Sequence, residues 1–218
     1  MVLSQEWSIG RCRGPRPGLY WGRSGEHERQ EARGHVRGYA RGGWEGFGRS
    51  AMRTYMKIDA QVDADFAWAR RRSLARRMGA RLRGDPSSAG PLLSFEEVRK
   101  ALGVHNRVRR GPRVVPVERI VGSVGRHRDF DRTFLPAEAA LEERWKRVDR
   151  AFHLGKELPP VALYKVGGAY FVEDGNHRVS VARYQGVEWI DAEVVEVHGP
   201  VPAAWRDAVC PMCFDTAA

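Results

Sequence analysis

The run Glu173-Asp174-Gly175-Asn176-His177-Arg178 carries the densest chemistry in the chain. Two acids, a glycine, an amide, an imidazole and a guanidinium occupy six consecutive positions. Before them lies the short apolar stretch Ala169-Tyr170-Phe171-Val172, and after them the helical turn Val179-Ser180-Val181-Ala182-Arg183. The run therefore sits in a strand-to-helix turn, where backbone amides converge and a phosphate is easily held. Asp174, or Glu173 beside it, can order Mg2+ or act as a base; the alternative for Asp174 is an Asx-type turn or cap, and for Glu173 a solvent-facing position. His177 either donates to a phosphate oxygen or is a satisfied structural residue. Arg178 is the strongest anion ligand of the set.

A second stretch, Gly122-Ser123-Val124-Gly125-Arg126-His127-Arg128, has related chemistry. Its glycines, Ser123, Arg126 and Arg128 suit a phosphate-contacting loop. Asp129 and Asp131 follow, placed either to help a metal or to pair with neighbouring arginines. No protein metal site is read from the sequence. Cys210-Pro211-Met212-Cys213 offers only two ligands and reads as an inert tail, or at most as a metal site shared between two chains.

The elements that must position these residues follow from pattern. Pro159-Pro160 feeds a strand over Val161–Lys165, Gly167-Gly168 closes a hairpin, and the strand Ala169–Val172 leads into the turn. A helix runs to Gln185, Gly186 stops it, and a further strand covers Glu188–Val197. Leu141, Trp145, Val148 and Phe152 mark one face of a helix ending at Gly155. Ser94 and Glu97 form a capping box for a short helix that ends at Gly103. Residues 105–113 read as a basic loop. Val114–Ile120 reads as a strand or a pair of short extended pieces, at an edge because Pro116 cannot donate to a ladder. Asp63 caps a helix through Phe66, Arg70, Leu74, Met78 and Leu82. Its thin apolar stripe predicts weak docking, and Arg70, Arg71, Arg76 and Arg77 are left to contact a phosphate backbone or an acidic face.

Charge divides the chain. Residues 1–110 hold 23 Lys and Arg against 11 Asp and Glu, and residues 111–218 hold 14 against 16. The excess of +10 thus belongs to the first half, as either a nucleic-acid-binding arm or a solvated basic tail. Three cysteines are too few for a disulfide framework. With no long apolar run and no secretory pattern, a cytoplasmic protein without membrane contact is expected. Residues 1–51 are Gly- and Arg-rich without periodicity. They read as a disordered extension or as sequence upstream of a start at Met52 or Met56. A basic helical arm over 52–113, a compact domain over 114–197 and a tail over 198–218 complete the expected organisation.

The order strand, hairpin, strand, acid-Gly-x-x-Arg, helix, Gly, strand resembles the ParB/sulfiredoxin superfamily, and most of all bacterial ParB-like domain proteins. The resemblance rests on Leu158-Pro159-Pro160-Val161, Tyr170–Val172, Asp174–Arg178, Ala182 and Gly186, within about Val114 to Val197. It implies an α+β fold, a small mixed sheet with packed helices, and a pocket for CTP or ATP, with Mg2+ as a candidate companion ion. By position, Gly175 would allow close backbone approach. The amides of Asn176, His177 and Arg178 would face phosphate, and the Arg178 guanidinium would bind it through two hydrogen bonds. The loop with Gly122, Ser123 and Arg126 would close over the nucleotide. The turn lacks the reactive cysteine of sulfiredoxins, which argues against cysteine-sulfinate repair. Only 21 residues follow Val197, too few for the DNA-reading and dimerisation regions of partition proteins. The expected function is a nucleotide-binding module associated with DNA through its basic arm. The alternatives are a small phosphotransferase or nucleotide hydrolase using Asp174 or Glu173, and last a nuclease.

Overall fold

The computed structural model describes residues 20–21, 49–84, 90–103 and 106–198. The readings made for the bulk of residues 1–48, for the tail and for the Cys210/Cys213 pair lie outside them.

The fold is α+β, as expected. Its mixed sheet begins at one edge with β3 (Asn106–Pro116), which runs antiparallel to β7 (Trp189–His198). Next come β5 (Val161–Val166), parallel to β7, and β6 (Ala169–Asp174), its hairpin partner. β4 (Ile120–Ser123) is parallel to β6, and β2 (Leu93–Ser94) is parallel to β4. The two-residue β1 (Tyr20–Trp21) pairs with the start of β7. Among the described residues four helices accompany the sheet: α1 (Arg49–Leu82), α2 (Phe95–Leu102), α3 (Glu142–His153) and α4 (Asn176–Gln185).

Alternation along the strands sorts the core into two layers. Leu163 and Val172 join Val179 and Ala182 of α4 in one cluster. Their neighbours Tyr164 and Phe171 point the other way, against Phe95 and Val98 of α2. Ser94 caps α2 by accepting from the Glu97 amide at 3.5 Å, and Gly103 ends it at φ 58°. Gly186 ends α4 at φ 75°.

Three expectations are corrected. The basic stretch before Val114 is a strand, not a loop, so the sheet begins upstream of the expected domain boundary. Two of its cations are held by neighbouring strands. Arg110 donates to Glu196 at 2.6 Å, and Arg107 lies over the Tyr164 ring at 5.2 Å. Among the described residues β3 pairs only with β7, so Pro116 does lie on an edge strand. Second, Gly122 and Ser123 belong to β4. Gly122 is a packing glycine, since a Cβ there would sit 2.4 Å from the Leu93 carbonyl and 2.5 Å from the Phe171 ring.

Third, α1 docks firmly, and through a different face. Val62, Phe66, Ala69, Ser73 and Ala80 are buried, whereas Leu74, Met78 and Leu82 are exposed. The small residues let α1 lie close to α3 and α4. Phe66 meets Trp145 at 5.6 Å within a cluster that includes Ala69, Leu135 and Val181. Trp145 donates to Ser180 of α4 at 2.9 Å. Ion pairs Asp59–Arg150 at 2.7 Å and Asp63–Lys146 at 2.8 Å line the same seam.

Candidate functional site

Two places bring the predicted residues together: the turn at the start of α4, and a cleft where α1 meets the segment after β4.

In the turn, Gly175 has φ 98°, a left-handed conformation suited to glycine. A Cβ would also meet Val161 Cγ1 at 2.7 Å and the Arg178 guanidinium at 3.0 Å. The glycine is therefore fixed by its own turn. Arg178 folds back over it. Its guanidinium donates to the carbonyls of Pro159 and Pro160, the latter at 2.8 Å, and to Asp174 Oδ2 at 2.6 Å. Its side chain is 12% exposed. The hollow beside it, lined by Leu158, Pro159, Ile190 and Asp191, has a volume of about 10 Å³. That is room for one water at most. The expected two-bonded phosphate grip by Arg178 is thus corrected: its donors already hold the chain entering β5.

The two candidate bases are engaged as well. Asp174 holds Arg178, and Glu173 accepts from the Tyr164 hydroxyl at 3.0 Å. Burial, with Glu173 as acceptor, pushes the Tyr164 phenol above its ordinary value. Arg183 donates to the carbonyls of Glu118 and Ile120 and fastens α4 to the stretch before β4.

The opposite flank of the turn is polar and enclosed. The amides of Asn176, His177 and Arg178 have no acceptor among the described residues. Asn176 Oδ1 and both ring nitrogens of His177 are buried without a hydrogen-bond partner. Phe130 meets the imidazole edge-on at 5.6 Å. Burial first, then the positive charges of Arg126 and Arg144, push His177 down to about 4, with Asp129 opposing. The ring is therefore neutral at pH 7. Ser123 Oγ donates to the Val172 carbonyl at 3.3 Å and accepts from the Arg126 amide at 3.2 Å. Arg126 pairs with Asp129 at 3.0 Å. Gly122, Ser123 and Arg126 thus shape the loop, and only the Arg126 side chain, 41% exposed, retains access to solvent.

The cleft is open and roomy. It has a volume of about 340 Å³ and is lined by Arg77 and Arg81 of α1, by Gly90 and Pro91, and by Arg128, Phe130, Asp131 and Ala137. That is within the range of small-ligand pockets. No ion pair engages Arg77, Arg81 or Arg128 among the described residues. Asp131 is buried. Its Oδ1 accepts from the Thr133 amide at 2.8 Å, the Thr133 hydroxyl at 2.7 Å and the Leu135 amide at 3.0 Å. Its Oδ2 has no hydrogen-bond partner. These contacts fix the segment, including Phe134, which is fully buried at φ 62°. Phe130 both borders the cleft and touches His177, so cleft and turn are neighbours.

On the far side of Arg77 a second groove of about 360 Å³ includes Arg70, Arg71, Leu74 and Ala137. Arg70, Arg71 and Arg76 are exposed, and Arg77 is half-buried between the two hollows. The sequence places Arg77 on a nucleic-acid face and Arg128 in a phosphate-contacting loop, but does not show that Arg81 and Arg128 border one cleft with Arg77. Their approach depends on where α1 docks, which local pattern does not reveal.

No family model, curated protein or solved structure matches the chain. No helix among the described residues is long and apolar enough to cross a membrane.

Proposed function

We propose that the chain is a ParB-like nucleotide-binding module that associates with nucleic acid through α1. The nucleotide, CTP or ATP, sits in the cleft between α1 and the segment after β4 rather than on the Arg178 turn. The observation that carries this reading is the cleft itself. Three guanidiniums without ion-pair partners converge on a hollow of ligand size, where like charges repel until an anion joins them. A triphosphate supplies that charge. Exposed Arg70, Arg71 and Arg76 continue the positive surface along α1 toward a phosphate backbone.

Binding is favoured over turnover. Asp174 and Glu173 do not line the cleft, so a phosphotransferase or hydrolase working there would lack its proposed bases. A nuclease needs acids gathered around metal on the ligand surface, and the cleft has one.

Calorimetry of the full chain with CTP, ATP, GTP and UTP, each with Mg2+, tests the reading. One of the first two is expected to bind, and Arg128→Ala or Arg81→Ala to weaken it at least about tenfold, the order expected for one charge-assisted contact. Absence of heat with all four nucleotides removes the proposal.

A further inference from the structure

One imidazole and two carboxylates from separate parts of the chain meet in the seam between α1, α3 and α4. Asp65 comes from α1, and Asp149 and His153 lie one turn apart on α3. One ligand atom from each falls within 4.8 Å of the others. His153 Nε2 is 2.9 Å from Asp65 Oδ2 and 3.6 Å from Asp149 Oδ2. Bonds of about 2.1 Å to a shared cation set neighbouring ligand atoms about 3.0 Å apart at octahedral angles and about 3.4 Å apart at tetrahedral ones. The observed spacings bracket those values.

The outer contacts point the same way. Asp65 Oδ1 accepts from Tyr184 at 3.0 Å and from Gln61 at 2.9 Å. Asp149 Oδ1 accepts from Gln185 Nε2 at 2.8 Å. The oxygens away from the centre are thus held by donors, and those toward it are turned to the imidazole. Gln185 Nε2 also reaches Asp65 Oδ2 at 3.3 Å. Asp149 is fully buried, and its inner oxygen has no hydrogen-bond partner. Outer-atom support with a bare inner atom is how metal-binding carboxylates are oriented.

We propose that Asp65 Oδ2, Asp149 Oδ2 and His153 Nε2 bind one divalent transition-metal ion of the Zn2+, Co2+ or Mn2+ class. Water supplies a further ligand. The imidazole selects against Mg2+ and Ca2+. The ion is structural: it ties α1 to α3 and fixes the helix that carries Arg77 and Arg81. This inference is independent of the nucleotide reading, because the site stands whether or not the cleft binds anything.

The test uses the full chain with Cys12, Cys210 and Cys213 changed to serine, freed of metal by a chelator. Calorimetric titration with Zn2+, and Co2+ titration followed by visible absorption, are expected to end at one ion per chain. Zn2+ is expected to raise the melting temperature. His153→Ala and Asp149→Asn should each weaken binding by at least about a hundredfold. Asp149→Asn preserves shape, so its loss separates ligation from folding. The proposal is overturned if the Cys-free chain takes up neither ion at about 10 µM and shows no melting shift, or if both variants bind as the parent does. Should both variants fail to fold, the parent's stoichiometry and melting shift still decide.

Discussion

The α4 turn and the cleft beside it contain the same kinds of residue and put them to opposite uses. In the turn every strong charge is satisfied internally: Arg178 by two carbonyls and Asp174, and Glu173 by Tyr164. The hollow at Arg178 has room for one water at most. In the cleft Arg77, Arg81 and Arg128 face about 340 Å³ of open space without an ion-pair partner among the described residues. Residue types suited to phosphate therefore do not by themselves leave a side-chain charge free for one. Access and unpaired charge decide, and both depend on where the chain returns to itself.

The contrast is sharpest in stability. Arg178→Ala strips donors from two carbonyls and an ion partner from Asp174. It is expected to cost about 2–3 kcal/mol in urea unfolding, the upper range for hydrogen bonds to a charged group. A change below about 0.5 kcal/mol would mean that the turn is not built around the guanidinium. Gly175→Ala comes next, at about 1–3 kcal/mol, since it combines φ 98° with a Cβ 2.7 Å from Val161. Arg128→Ala in the cleft should fall within about 0.5 kcal/mol of the parent, as an exposed side chain without structural partners does.

A smaller effect separates the enclosed flank of the turn from its satisfied one. His177 is held neutral, at about 4 against an ordinary 6.5, by burial and by Arg126 and Arg144. The unfolded chain therefore takes the proton first, and His177 causes stability to fall as pH drops from about 6.5 to about 4. In the chain freed of metal, Asp149, raised by burial to about 6 from 3.8, acts with the opposite sign. It costs stability as pH rises across nearly the same window. The parent curve blends the two, so the difference between the parent and His177→Phe isolates the histidine. The gap should be widest near pH 4 and level off above pH 6.5. A flat difference would show that the ring's burial does not resist its protonation.

Most of the sheet was legible. Gly167-Gly168 marks the hairpin, Gly186 stops α4, and the Leu141, Trp145, Val148, Phe152 spacing gives α3. What was hidden is instructive. β3 carries Arg107, Arg109 and Arg110 because an edge strand tolerates cations that neighbouring strands can hold, so its composition reads as loop. The docking face of α1 was hidden because Ala69, Ser73 and Ala80 are weak hydropathy signals beside Leu74, Met78 and Leu82, and close helix contact favours the small side chains. The run around Arg178 correctly marked a strand-to-helix turn, but which oxygens the guanidinium reaches depends on Pro159 and Pro160, 19 and 18 residues upstream. The cleft joins Arg81 to Arg128, and the seam joins Asp65 to His153. Neither pairing has a local signature; only the Asp149–His153 spacing of four places two ligand types on one helix face.

The most direct measurement compares nucleotide affinity in Arg128→Ala and His177→Phe with that of the parent, alongside melting temperature. The account predicts at least a roughly tenfold loss in Arg128→Ala at an unchanged melting temperature, with His177→Phe binding within about threefold of the parent. Full binding by Arg128→Ala together with loss in His177→Phe would place the ligand on the turn after all and contradict the account.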